Sequence, residues 1–399
     1  MESIYQETQR EKVIKLISEK NKVFYGGNSG KYFMGSNRDF VLTDSDKNFY
    51  QPIKDEAIEY FDCNGISWWG GKRPPGHTLS SQIACLNHLF ALRKDRQAVL
   101  SILKSVSDDF VDIFKIETDR YNPAYIQFEA VSDTDHLNEV LSKRGSNCTS
   151  IDALIYAKHV DGTNWLVPIE WKYTEHYQNQ NKATEGAKRD PLNCKGEVRK
   201  RRYTDLINES GQLRSEDHFV YYFEPFYQLM RQTLWAEQMI KNKEAETIKA
   251  DNYLHIHVVP KENEALLNKK YKCSGLDMEG TWRNCLKDNL KYRIISPEDF
   301  LQNIETKNYS ELIDYLVTRY WTSQKRIIDG QDITGWEYHD ATPAQFALAK
   351  KLRRKLGYDN STFVFLLRKE GGPSKLDASL QLDALILEEK VRGLYLGDY

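Results

Sequence analysis

Apolar and polar positions recur with two different periods along this chain, and the change of period marks its organisation. Residues 5–20 carry Val13, Ile14, Leu16 and Ile17 on one side, which predicts an amphipathic helix. Residues 21–51 are rich in Gly, Asn and Asp and predict mostly loop, followed by a short helix over 54–62. The run Trp68-Trp69-Gly70-Gly71-Lys72-Arg73-Pro74-Pro75-Gly76 is a break. Ser80 or Ser81 then caps a helix through about Arg93, with Ile83, Leu86, Leu89 and Phe90 at helical spacing. A further helix covers 95–106.

From there the pattern shifts to strands. Residues 125–131, 149–156 and 165–173 read as three strands, the last two separated by Asp161-Gly162-Thr163. A basic, polar stretch over 174–215 interrupts the series. A helical pattern over 226–240 and a strand over 253–259, ended by Pro260, complete it. The order α-β-β-β-α-β predicts an α/β (α+β) fold, a central mixed sheet flanked by helices. Residues 261–399 add helices near 297–305, 309–321 and 343–356, the last with Thr342 as cap and Pro343 at its first position. A strand over 363–367 follows. The expected division is an N-terminal helical and loop extension (1–77), a core (78–260) with its basic insertion (174–215), and a C-terminal α+β region (261–399).

Two acids and a lysine interrupt the apolar strands: Asp152 in Ile151-Asp152-Ala153-Leu154-Ile155, then Glu170 and Lys172 in Ile169-Glu170-Trp171-Lys172-Tyr173. Charge in a buried strand is costly unless it is paired or bound to a metal. Two carboxylates beside a cation therefore point to a divalent ion and phosphate chemistry, the alternative being a structural ion-pair cluster. Glu170 and Lys172 share a face because strand side chains alternate. A three-residue hairpin loop pairs Val160 with Asn164 and sets Asp152 opposite Lys172, diagonal to Glu170. Asp152 joins the other two in that register or in one shifted by two residues; a two-residue loop turns it to the wrong face.

Composition sets the class. The chain has 399 residues, 40% hydrophobic and 29% charged, as in a soluble globular protein. It contains no apolar run long enough for a transmembrane helix, and its polar N-terminus lacks a signal-peptide core, so a cytoplasmic protein without membrane attachment is expected. The six cysteines form no Cys-x-x-Cys pair and read as isolated reduced thiols. The net charge of −2 decides nothing about nucleic acid, but local charge is uneven. Residues 182–202 hold eight Lys/Arg, among them Lys195, Arg199, Lys200, Arg201 and Arg202, against three acids. Residues 348–356 include Lys350, Arg353 and Arg354 and no acid. Such clusters neutralise phosphates or are solvated helix faces.

Asp152…Glu170-x-Lys172 in this element order resembles the PD-(D/E)XK nuclease superfamily, the restriction-endonuclease-like fold, over about residues 78–260. Ser80-Ser81-Gln82, the 150–155 and 169–173 strands, and Phe226-Tyr227-Gln228-Leu229-Met230-Arg231-Gln232 also resemble uncharacterised bacterial proteins described as restriction-endonuclease-like. The resemblance implies Mg²⁺, with Mn²⁺ able to substitute, held by Asp152, Glu170 and the backbone carbonyl of Trp171. It implies that Lys172 orients or deprotonates the attacking water, and that Gln228 lies near the site, with Gln232 one turn on and Arg231 holding a phosphate. It also implies nucleic acid as partner, double-stranded DNA first, in a defence setting. The basic insertion and the C-terminal region would grip the duplex, and a homodimer is raised because enzymes cutting both strands often pair. A catalytically inactive nucleic-acid-binding module, or an interaction subunit of a defence complex, would share the fold. The sequence departs from the superfamily in having Ile151 where Pro often stands. It also lacks an evident acid on the first core helix, where Gln82 and Asn87 sit, so Glu129 on the preceding strand is the candidate for a further acidic contact.

Other motifs carry less. Gly26-Gly27-Asn28-Ser29-Gly30-Lys31-Tyr32 fails the P-loop frame and ends in Tyr. His255-x-His257 lacks a third ligand and reads as a packed or hydrogen-bonded pair. The segment 383–390 repeats Asp-Ala-Leu-Ile and contains Glu388-x-Lys390, but with too few residues between the acids for a hairpin site; it reads as a strand with a charged end. Trp68 and Trp69 are stacking candidates for bases or packing residues.

Overall fold

A computed structural model describes residues 3–117, 120–139, 148–190, 192–321, 327–328, 331–332, 343–358 and 375–391. They form two compact units, 1–320 and 321–399.

The first unit opens with α1 (Ile4–Ser18), capped by the Ser3 side chain accepting from the Gln6 amide at 3.0 Å. A hairpin follows, β1 (Ser29–Phe33) and β2 (Ser36–Leu42), where the sequence predicts mostly loop. Its turn is Met34-Gly35, with φ 44° and 90°. Helices α2 (Lys54–Asn64), α3 (Ser81–Leu89) and α4 (Arg96–Lys104) match the helical periods. Ser80 caps α3, and Asp95 caps α4 by accepting from the Gln97 and Ala98 amides.

The central sheet is built on two long strands, β5 (Ile151–His159) and β6 (Asn164–Trp171), paired antiparallel. Two short strands flank β5: β3 (Phe110–Phe114) along its C-terminal half and β4 (Gln127–Ala130) along its N-terminal half. After β6 come α5 (Lys195–Glu209) and the crossover helix α6 (Phe226–Lys241). Strands β7 (Asn252–Tyr253) and β8 (His255–Val258) then run parallel to β6, so the sheet is mixed, flanked by helices, as the element order predicts.

The sequence reading closes the core at Pro260, yet the sheet continues. Helices α7 (Glu264–Leu267) and α8 (Met278–Asn284) lead to β9 (Tyr292–Ile295), which pairs parallel with β8. Helices α9 (Pro297–Phe300) and α10 (Thr306–Arg319) end the unit. Arg319 fastens α10 to the N-terminal segment: fully buried, it donates to the Asn48 backbone oxygen and side chain and to the Tyr315 hydroxyl. Its guanidinium lies 4.7 Å from the Tyr320 ring and 4.9 Å from Phe24.

Helix α6 packs on the sheet face carrying Leu154 and Leu166, through Phe226, Leu229, Met230 and Leu234. The alternate residue Trp171 meets His88 of α3, ring centroids 4.7 Å apart. Each functional side chain of β6 therefore faces α6 or α3 according to its parity.

The second unit contains the short pair β10 (Ile327–Ile328) and β11 (Gln331–Asp332) and the helices α11 (Pro343–Lys355) and α12 (Lys375–Val391). Residues 383–390, read from sequence as a strand, belong to α12. Ala378 and Leu382, one turn apart, pack against Ala349 and Leu352 of α11, and a helical period explains their burial. Thr342 and the expected strand over 363–367 lie outside the described residues.

Candidate active site

The β5–β6 register decides the site. Lys158 pairs with Asn164 and Ala153 with Ile169, which sets Asp152 level with Glu170. This is the register shifted by two from the three-residue loop. The turn is longer because Asp161 folds the tip back, accepting from the Thr163 amide at 2.8 Å. The shift preserves parity, so Asp152, Glu170 and Lys172 all face α6.

These three line one cavity of about 500 Å³. Glu170 and Lys172 are buried and paired to each other, while Asp152 keeps part of its side chain accessible. Asp152 Oδ2 accepts from the Trp171 amide at 2.8 Å, a bond that ties the two strands where they splay. Burial pushes the Asp152 carboxyl well above the usual range, and the carboxylates of Glu170 and Glu129 push it further. Burial alone would lower Lys172, but Glu170 and its other anionic neighbours outweigh it and hold the ammonium firmly charged.

Helix α6 braces this floor. Gln228 and Gln232, one turn apart, present their amides to the same face. Lys172 Nζ donates to Gln228 Oε1 at 2.5 Å; the Gln228 amide nitrogen donates to Glu224 at 3.0 Å and to the Tyr177 hydroxyl at 3.2 Å. Gln232, expected as a contact to nucleic acid, is buried, donates to Glu170 Oε2, and meets His255 Nε2 through its oxygen at 2.8 Å. Burial lowers His255 to about 4, so its ring is neutral at neutral pH. The His255/His257 pair takes separate partners, Gln232 and the Tyr292 hydroxyl, and is a hydrogen-bonded structural pair.

Glu129 stands beside the three, at φ 48°, in the left-handed region that a glutamate adopts only at a cost of about 1–3 kcal/mol. Its carboxylate accepts from Gln82 Nε2 and Ser150 Oγ, each at 2.8 Å. Gln82 of α3, a helix on which the sequence shows no evident acid, thus holds one in place.

The basic residues divide. Arg231 also lines the cavity but donates to Glu139 at 3.1 and 3.2 Å. Arg199 donates to Glu185 at 2.9 Å, Lys195 lies 3.4 Å from Glu185, and Lys200 pairs with Glu197. Arg201 is exposed and Arg202 half-buried. Lys350, Arg353 and Arg354 lie on α11 of the second unit, with Arg353 over the Tyr358 ring. Sequence reasoning missed Glu139, Tyr177 and Glu224, which fall outside the helices and strands it predicts, and counted Lys182 only within the basic run 182–202.

The fit to a divalent cation follows from the donor set. Among the described residues no group of three or more His, Cys, Asp or Glu side chains gathers as a metal cage. Asp152 and Glu170 offer two carboxylates at one level of the sheet, with Trp171 on the same cavity wall. Mg²⁺ suits such a set, since it retains waters and takes one or two carboxylates plus substrate phosphate. Burial disfavours the charged form of Asp152, so a cation held there would displace a proton.

Residues 10–321 match the model of a family described as restriction endonuclease associating with ARP. No curated protein and no solved structure matches the chain. Among the described residues no helix is long and apolar enough to cross a membrane.

Proposed function

The chain belongs to the family of restriction endonucleases associating with ARP, and from that premise we propose that it is a metal-dependent nuclease hydrolysing phosphodiester bonds of DNA, in a defence setting. The observation that carries this reading is the β5–β6 register, which gathers Asp152, Glu170 and Lys172 on one cavity wall. Asp152 and Glu170, with the Trp171 carbonyl, would hold Mg²⁺ or Mn²⁺. When bound, the ion supplies an acidified water and offsets charge on the phosphate.

The chain's own residues do the rest. Lys172, kept charged between Glu170 and Gln228, acts as a fixed cation for the phosphate and not as a base. Gln232 fixes the carboxylate of Glu170, with neutral His255 behind it. Lys182 and Arg199 line the same cavity, paired with Glu224 and Glu185, and would exchange those partners for an incoming phosphate.

A second reading has its own support: Arg199, Arg231 and Lys200 are matched by Glu185, Glu139 and Glu197, which leaves less free positive charge than the sequence promises. An inactive binding or interaction module on the same fold would tolerate that. The test is cleavage of circular and linear DNA with Mg²⁺ or Mn²⁺ by wild type, Asp152→Ala and Lys172→Ala. Metal-dependent cutting lost in both variants supports the nuclease. Cutting that survives both, or binding without any cutting by wild type, refutes it.

A further inference from the structure

A second cavity, of about 520 Å³, adjoins the first and shares Trp69, Ser150 and Asp152 with it. Its volume lies in the range of small-ligand sites, roughly 300–1,000 Å³. One side is aromatic and apolar. Phe33 at the hairpin tip, Trp69 and His77 form a ring cluster with centroids 5.0–5.9 Å apart, and Met34 extends it. Burial lowers His77 to about 4, so this wall carries no charge at neutral pH. The opposite side is polar: Gln82 Oε1 accepts from the Trp69 amide at 3.0 Å, while Gln82 Nε2 holds Glu129. Gln82 thus locks the aromatic wall to an acceptor carboxylate.

The hairpin that closes this cavity is built against ordinary economy. Its two-residue turn, Met34-Gly35, has both φ angles positive, a geometry that favours Asn, Asp or Gly first. Met34 stands there instead, 76% exposed, beside Tyr32 at 70%. The neighbouring Trp68 is buried and stacked on Phe61, centroids 3.7 Å apart, whereas Trp69 is 47% exposed. Exposed apolar groups on a strained tip, next to a cleft with phosphate chemistry, have the composition of a wedge that separates stacked bases.

We propose that this second cavity receives one unstacked nucleobase of the strand being cut, with the β1–β2 tip displacing it from its stack. The base's faces meet the aromatic wall, and Glu129 accepts from its ring or exocyclic N–H groups. The sugar and phosphate of the same nucleotide bridge to the shared wall at Asp152. The cutting half of this statement rests on the nuclease reading; the base-binding half does not.

The test uses the full chain in EDTA and measures binding to two strands of equal length: mixed-sequence single-stranded DNA and an abasic strand with the same phosphates. Wild type binds the base-bearing strand more tightly. Trp69→Ala loses about tenfold on that strand and nothing on the abasic one. Cutting by wild type and Asp152→Ala is measured separately in Mg²⁺, so loss of cutting and loss of base binding read apart. Met34→Asn suits the turn and keeps the fold; it weakens duplex binding several-fold more than single-strand binding. Equal binding of both strands by wild type, failure to bind either, or a Trp69→Ala loss equal on both overturns the proposal. Duplex binding unchanged in Met34→Asn overturns the wedge. Binding of a nucleoside monophosphate alone as tight as that of the strand overturns the assignment to a strand.

Discussion

Helix α5 and the floor of the cleft are both charge-rich in sequence, and the fold treats them oppositely. On α5, Lys195 and Arg199 turn to Glu185, and Lys200 turns to Glu197, all on partly exposed side chains. On the floor, Asp152 stands among Glu170, Glu129 and Lys172; α6 amides hold Glu170 and Lys172, the Trp171 amide holds Asp152, and Gln82 of α3 holds Glu129. The first arrangement neutralises itself with flexible surface pairs worth little each. The second keeps carboxyl groups side by side where desolvation is most costly, and raises Asp152 in doing so. Charge held against its own cost, not the density of charge, marks the functional region.

That contrast breaks first at Asp152. Asp152→Ala should abolish metal-dependent cutting, by at least ~10²–10³-fold, with the fold retained. A thermal melt of the metal-free variant should equal or exceed wild type, since the mutation relieves carboxylate crowding. The bracing residue comes next. Gln232→Leu removes the donor to Glu170 and the partner of His255, and should weaken metal affinity or cutting about 10–100-fold, measured by metal titration of activity.

Arg231→Ala tests stability. Glu139, buried and accepting from Arg231, Tyr203 and Thr149, would lose its charged partner. Denaturant unfolding should show a loss of about 3 kcal/mol. Acid weakens the fold more gently. His77 is lowered from 6.5 to about 4, so below 6.5 the unfolded chain binds the proton first. Its contribution is present above pH 6.5 and lost as pH falls toward 4, on the order of 3 kcal/mol, and His77→Leu should flatten that limb of the stability profile. The smallest effect belongs to α5: Lys200→Ala should change stability by less than ~0.5 kcal/mol and lower the salt slope of DNA binding by at most about one.

Asp152, Glu170 and Lys172 stand out in the sequence because each breaks an apolar strand, and α6 stands out by its long helical period. The register was open, because the tip of the β5–β6 turn is folded by Asp161 and Thr163, contacts that no period reveals. The β1–β2 hairpin was hidden for a related reason. β1 and the first half of β2 are largely accessible, while Phe40, Val41 and Leu42 are buried on both faces, so no alternation shows, and Met34-Gly35 lacks the usual Asn-Gly signal. In α12 the short run Ala384-Leu385-Ile386-Leu387 fits strand or helix equally, and the packing of Ala378 and Leu382 decides it. The basic run on α5 was legible as charge but not as ion pairs, since Glu185 reaches Arg199 through the fold.

The metal-dependent reading turns on whether Asp152 and Glu170, beside Lys172, hold a divalent cation. Calorimetric titration of Mn²⁺ into wild type and Asp152→Asn, each with a phosphorothioate oligonucleotide present, decides it. Saturable binding to wild type, lost in the folded variant, is the expected result. Equal binding to both proteins, or none to wild type, would contradict it.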